Sequence, residues 1–227
     1  MATAIVSGTS SGIGEAIAQM LLDNGYKVIG LSRSEGSLNH PNFIHIACDL
    51  RHIHEIEVLK TLESNDLKLL INAAGFGRFE PHEELSLSTI TDMIALNLTA
   101  PIVLSNLFLR TLKANQGKII NITSIEATRS SKFSALYSAT KSGLRAFGHS
   151  LFEEVRASGV GVLTINPDMT DTPFFDDLRF GVGESEESKL FASDIAKSLL
   201  NLLSMRDGMC TTELTLRPQR FGITKKH

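Results

Sequence analysis

Ala4-Ile5-Val6-Ser7-Gly8-Thr9-Ser10-Ser11-Gly12-Ile13-Gly14 is the segment whose reading decides the fold. A short apolar strand runs into three glycines, and a helical pattern takes over from about 13 to 24. Glycines let a backbone turn tightly and approach a pyrophosphate, whose charge then rests at the helix N-terminus. The spacing is Gly-x-x-x-Gly-x-Gly, not the more common Gly-x-Gly-x-x-Gly dinucleotide fingerprint. Gly8, Ser10 and Gly12 also fit the Gly-x-Ser-x-Gly elbow of α/β-hydrolases, which needs a later Asp or Glu and then a His. The far downstream histidines are His149, inside a helical pattern, and the terminal His227, so the elbow lacks its base. A glycine turn that binds nothing is the remaining alternative.

Outward from this segment, apolar runs alternate with helix-length patterns. Strands are predicted at Ala4–Val6, Lys27–Leu31, Phe43–Ile46, Leu67–Ile71, Lys118–Ile122, Val160–Ile165 and, more faintly, Thr212–Leu216. Helices are predicted at roughly 13–24, 52–63, 84–113, 134–158 and 192–204. Near-continuous apolar strands separated by helices imply an α/β fold: a Rossmann-type doubly wound parallel sheet of about seven strands, helices on both faces. No repeat or linker interrupts residues 1–227, so one domain is expected. The least patterned stretch, about 168–190, reads as a mobile loop, either a surface insertion or a substrate lid.

A formal charge of −3 gives no reason to expect nucleic acid or an acidic membrane as partner. Cys48 and Cys210 are the only cysteines, which points to a reducing compartment. No apolar run approaches a membrane span of ~20 residues, and no secretory signal is visible, so a cytoplasmic location is expected. His40, His45, His52, His54 and Cys48 invite a metal reading. His52 and His54, two apart on a predicted helix, would not share a face, so no metal is expected.

Two further features carry chemistry. The second strand ends at Leu31-Ser32-Arg33, where an acidic side chain would bind the ribose 2′-hydroxyl of NAD and an arginine accommodates a 2′-phosphate. Ser32 followed by Arg33 favours NADP(H) over NAD(H), with a plain solvated arginine as the alternative. Tyr137 and Lys141 stand four apart, on one helix face, and Ser124 precedes the tyrosine by thirteen residues. A phenol with pKa ~10 is a poor acid-base catalyst near neutrality, and a nearby ammonium favours its phenolate.

Taken together these segments resemble the short-chain dehydrogenase/reductase family. Gly8, Gly12, Ile13 and Gly14 are similar to its glycine motif, and Asp49-Leu50 to its adenine-contacting aspartate. Asn72-Ala73-Ala74-Gly75 resembles its Asn-Ala-Ala-Gly signature, and Asn97, Ser124, Tyr137 and Lys141 follow in its order. Pro167, Thr170 and Thr172 are similar to its segment that meets the nicotinamide carboxamide. The resemblance implies a carbonyl–alcohol oxidoreductase for a small metabolite. Tyr137 would be acid and base, Ser124 would bind the substrate oxygen, and Lys141 would lower the tyrosine pKa and hold the ribose. Asn97 would bind a proton-relaying water.

Pro101 lies four residues after Asn97 in what reads as one long helix, so a kink should release the Asn97 carbonyl. Asp168 replaces the family's usual glycine; it would tolerate a left-handed turn, and would bind a cationic substrate group or cap that turn. Glu126, Arg78, Phe76, Phe79, Phe133, Phe174 and Phe175 are further candidates for a substrate mouth, and a polar site for a small or zwitterionic carbonyl is one expectation. The family's Asp-Gly-Gly after the last strand is absent, which leaves homodimer and homotetramer both open. A cofactor sensor without turnover, and an epimerase or dehydratase using Glu126 or Asp168, are the competing functions.

Overall fold

In the computed structural model, residues 1–62, 65–206 and 208–226 are described. The chain runs β1 (Thr3–Ser7), α1 (Gly12–Asp23), β2 (Lys27–Ser32), β3 (Phe43–Ala47), α2 (Ile53–Val58) and β4 (Leu67–Asn72). It continues with α3 (Leu87–Ile94), α4 (Ala100–Asn115), β5 (Lys118–Ile122), α5 (Ala135–Val155) and β6 (Gly161–Pro167). The remaining elements are β7 (Thr170–Asp171), β8 (Phe180–Val182), β9 (Leu190–Phe191), α6 (Ala192–Leu203), β10 (Glu213–Leu216) and β11 (Ile223–Lys225). Seven strands form one parallel sheet in the order β10-β6-β5-β4-β1-β2-β3. The order reverses between β1 and β4, which opens a crevice at the carboxyl ends of the strands.

The apolar strands alternate between two cores, as a period of two requires. Ile5, Ile29, Leu70 and Ile119 pack with Leu104, Phe108 and Leu112 of α4 and Leu151 and Val155 of α5. Their neighbours Ala4, Val6, Val28, Ile71 and Ile120 pack on the other face with Ile17 and Leu21 of α1 and Ile195 and Leu199 of α6. Burying one such leucine or isoleucine stabilises the fold by about 1.5–3 kcal/mol.

Several expected elements change on folding. Residues Leu87–Asn115 form one continuous helix of 29 residues, beginning at the capping hydroxyl of Ser86 rather than at 84. The irregularity expected at Pro101 takes the form of a widened turn. Residues Ala95–Thr99 make a π-helical turn, in which the Ala100 N–H reaches the Ala95 carbonyl, and Pro101 follows in the first turn of α4. Pro101 still has no N–H to offer the Asn97 carbonyl; the chain absorbs the defect by widening a turn. By length and composition this helix could cross a membrane, contrary to the reading of the apolar runs, although Leu104, Phe108 and Leu112 face the sheet core.

The predicted helix at 52–63 is shorter: α2 stops at Val58 and a 3-10 turn covers Leu59–Thr61, while residue 63 lies outside the described residues. His52 is the extended residue before α2, so its ring stacks on His54 at 5.6 Å although a helix would separate them. The stretch 168–190 is not patternless. It holds β7, β8 and the first residue of β9, with β7 paired to β9 and β8 paired antiparallel to β11.

Candidate active site

The crevice is a single cleft of about 1440 Å³, larger than an ordinary small-ligand pocket. At one end stands the glycine turn. Gly8 and Gly12 sit at φ +78° and +63°, the left-handed region that favours glycine. A Cβ on Gly14 would run into the Gly8 carbonyl, so the turn closes only around a bare backbone. Ser11 precedes α1 without a side-chain cap, which leaves the first N–H groups of the helix for an anion. Ser7 holds the turn against the next loop, its hydroxyl accepting from Ala73 N at 3.0 Å and Ala74 N at 3.1 Å.

Ser10, Ser11, Ile13, Ser32, Arg33, Asp49, Leu50, Ala73, Ala74 and Gly75 all line this end. The Ser32 hydroxyl lies 3.1 Å from His45 Nε2 and donates to Ser34 O, while Arg33 is exposed and makes no hydrogen bond or ion pair among the described residues. Asp49 is engaged by Arg51, whose guanidinium holds its carboxyl down at about 2. Asn72 is not at the surface: it is buried and donates to Asn121 Oδ1 at 2.8 Å.

Catalytic candidates occupy the centre. Tyr137 and Lys141 lie on α5, both buried, with Lys141 Nζ 5.8 Å from the tyrosine ring centroid and donating to Ile122 O at 3.0 Å. Ser124, at the end of β5, sits beside them and its Oγ accepts from Glu126 N. The electrostatics differ from the expectation that Lys141 lowers the tyrosine pKa. Burial pushes the phenol above its usual value, only partly countered by the Ser124 hydroxyl, and Glu126 raises it further. Burial also pulls Lys141 down to about 8. Burial thus shifts both groups toward their neutral forms, with Lys141 still protonated near pH 7.

Asn97, fully buried, does not reach the cleft. Its amide clamps the backbone of Phe76, accepting from the N–H at 3.0 Å and donating to the carbonyl at 2.8 Å, and so fixes the loop after Gly75.

Beyond β6, Pro167, Thr170 and Thr172 line the cleft, and Thr172 lies against Gly12, 3.3 Å from where a Cβ would stand. Asp168 is not left-handed. Its carboxylate accepts from Arg217 Nε at 3.0 Å and Met169 N, with Arg129 at 3.7 Å, so it is spoken for inside the protein rather than facing a cationic substrate. Glu126 is engaged in the same way rather than open to substrate: buried, it accepts from Arg129, Ser131, Ser134 and Ser138. The serines and the arginine hold its carboxyl down against the effect of burial.

Phe174 does line the cleft, and its ring centroid is 5.8 Å from that of Tyr137. Phe180, Phe221, Ile223 and Lys225 line it too and were missed. A three-residue strand such as β11 has too few positions to show a period, and only its pairing to β8 brings it here.

The family model described as short chain dehydrogenase matches residues 2–181. The chain belongs to the short-chain dehydrogenase family. This dehydrogenase is 31% identical over 226 residues to an uncharacterized oxidoreductase of Staphylococcus epidermidis, covering 95% of the chain and 96% of the relative. A similar protein of Staphylococcus saprophyticus is 32% identical over 229 residues, with the same coverage. Among solved structures, an alcohol dehydrogenase from the archaeon Thermococcus sibiricus, complexed with 5-hydroxy-NADP, superposes with a TM-score of 0.84. It is 26% identical, and the match covers 97% of this chain and 98% of that one. A 4-hydroxyisoleucine dehydrogenase complexed with NADH has a TM-score of 0.85 at 23% identity and shares the fold, covering 96% and 98% of the two chains. The protein is thus an oxidoreductase of a Rossmann-type family whose structural neighbours hold nicotinamide dinucleotides.

Proposed function

We propose that this dehydrogenase interconverts a carbonyl and a secondary alcohol of a small metabolite, using NADP(H) in preference to NAD(H). The observation that carries this reading is Tyr137 beside Ser124 in the same cleft that the glycine turn opens into, with buried Lys141 behind the tyrosine, its Nζ 5.8 Å from the ring centroid. A dinucleotide fits the other end: bare glycine backbone, uncapped helix N–H groups, and an unpaired Arg33 where a 2′-phosphate would lie. Gly8, Ser10–Gly14, Ser32, Arg33, Asp49, Leu50 and the Ala73–Gly75 loop would hold it, with Thr170 and Thr172 closing from above. When bound, the nicotinamide supplies or takes up the hydride.

The protein's own residues do the rest. Ser124 donates a hydrogen bond to the carbonyl oxygen and stabilises the charge that grows on it. Tyr137, held as a phenol by burial, gives that oxygen a proton. Protonated Lys141 stabilises the phenolate left behind. Asn97 keeps the Phe76 loop in place. An epimerase or dehydratase would need a second free acid or base, and both Glu126 and Asp168 are engaged by arginines. A sensor without turnover has no use for a buried lysine. We place the function in one cytoplasmic domain over 1–227 that assembles as a homodimer or homotetramer.

Following NADPH and NADH consumption against a panel of ketones, aldehydes and hydroxy acids tests the reading. Tyr137→Phe should lose about 10²–10⁴ in turnover while still binding cofactor. Preference for NADH would overturn the role of Arg33, and full activity in the variant would overturn the mechanism.

A further inference from the structure

Seven of the twelve phenylalanines line the one cleft: Phe76, Phe79, Phe133, Phe174, Phe175, Phe180 and Phe221. Four of them form a chain of ring contacts that reaches the catalytic tyrosine. Phe79 lies 5.2 Å from Tyr137 and 5.2 Å from Phe180, Phe174 lies 5.8 Å from Tyr137, and Phe175 joins Phe174 to Phe180 at 5.2 and 5.8 Å. The seven rings come from four separate stretches of sequence, one of them Phe133 just before α5. Another follows β4, a third is the folded segment around β8, and Phe221 stands just before β11, whose Ile223 also lines the cleft.

The charges beside the reacting groups are meanwhile consumed internally. Glu126 is matched by Arg129 and three serines, and Asp168 by Arg217 with Arg129 alongside. Neither carboxylate is left to hold an ammonium, and neither arginine is left without an acid. Farther along the cleft, Arg78 donates to the Asp177 carbonyl, and Arg179 and Lys225, without an ion pair among the described residues, are exposed. Beside Tyr137 and Ser124 a charged group would give up water to meet acids and arginines already paired with one another, which is unfavourable. An aromatic ring, by contrast, gains offset or edge contacts worth about 0.5–1.5 kcal/mol beyond its buried area.

We infer that the substrate is an uncharged carbonyl or alcohol carrying an aromatic or similarly bulky apolar group, which seats among Phe79, Phe174, Phe180 and Phe221. The inference rests on the oxidoreductase reading for its reacting group, and on the ring cluster alone for the rest. It replaces the small polar or zwitterionic substrate that the sequence allowed.

Two measurements test it. In turnover with NADPH, acetophenone should exceed pyruvate by at least about tenfold in kcat/KM, a difference of ~1.4 kcal/mol. Phe180→Ala should raise KM for acetophenone about tenfold and KM for acetone far less. Phe221, 67% exposed, can be changed to alanine without threatening the fold, and should give a smaller shift of the same kind. In thermal denaturation without turnover, 1-phenylethanol should stabilise the wild-type chain and lactate should not, and Phe221→Ala should weaken that stabilisation. Preference for pyruvate, stabilisation by lactate, or no stabilisation by either alcohol would overturn the inference. If 1-phenylethanol binds but no carbonyl is reduced, the substrate class stands and the oxidoreductase reading falls.

Discussion

The two ends of the cleft are built from different materials. The cofactor end is backbone: glycines at positive φ, uncapped N–H groups at the start of α1, and a serine hydroxyl bridging two loops, all within or directly beside the strand ends. The substrate end is side chain, a set of phenylalanine rings that residues far apart in sequence bring together. A backbone site depends on what is missing from its residues, and admits no added atom. A side-chain site depends on bulk, and tolerates exchange of one apolar group for another. Tyr137 and Lys141 sit where the two meet, and their burial is the price of joining them.

Lys141 should give the largest effect, because it belongs to neither end. Its folded pKa of about 8 lies below the ordinary 10.5, so the native state binds this proton less readily than the unfolded chain. The penalty is complete below pH 8 and vanishes as pH approaches the unfolded value, so stability rises through that window. Relative to Lys141→Met, the cofactor-free wild type should therefore gain about 3 kcal/mol between pH 7 and pH 11, read from paired denaturation curves. A constant gap would mean the lysine is solvated. Turnover in the reductive direction should fall as pH rises through 8, as the ammonium is lost.

At the cofactor end, Gly14→Ala places a methyl group against the Gly8 carbonyl. It should destabilise the protein by about 1–3 kcal/mol and weaken NADPH binding measured by fluorescence titration. Phe175→Leu, the matching change at the substrate end, should stay under about 1.5 kcal/mol. Equal effects would erase the distinction between the two ends. The smallest effect is expected at Pro101→Ala, which restores an N–H beneath the Asn97 carbonyl. Turnover should drop by roughly threefold, under 1 kcal/mol, with cofactor affinity nearly unchanged; a crystal structure of the variant would show whether the π-turn at Ala95–Thr99 relaxes.

Much of the cofactor end was legible in the linear chain, because strand, glycine turn and helix follow one another in one short segment around Gly8–Gly14. The alternation of apolar strands with helices was legible for the same reason, each element announcing itself by its own period. Tyr137–Lys141 could be read from helical spacing, and Ser124 and Asn97 from family order. Their charge states could not be, since burial outweighs any nearby charge in setting the tyrosine. Asp168 and Glu126 looked like open substrate contacts only because Arg217 and Arg129 were not yet beside them.

The sequence by itself determined the strands and helices, the glycine turn and which residues are proposed to react. Each is written in a pattern only a few positions long. Only the tertiary structure decided what surrounds those groups: the ring cluster, the paired acids and the strand Ile223–Lys225 that closes on β8. Desolvation and ring contact are properties of distance in space, and no local pattern in the chain records them.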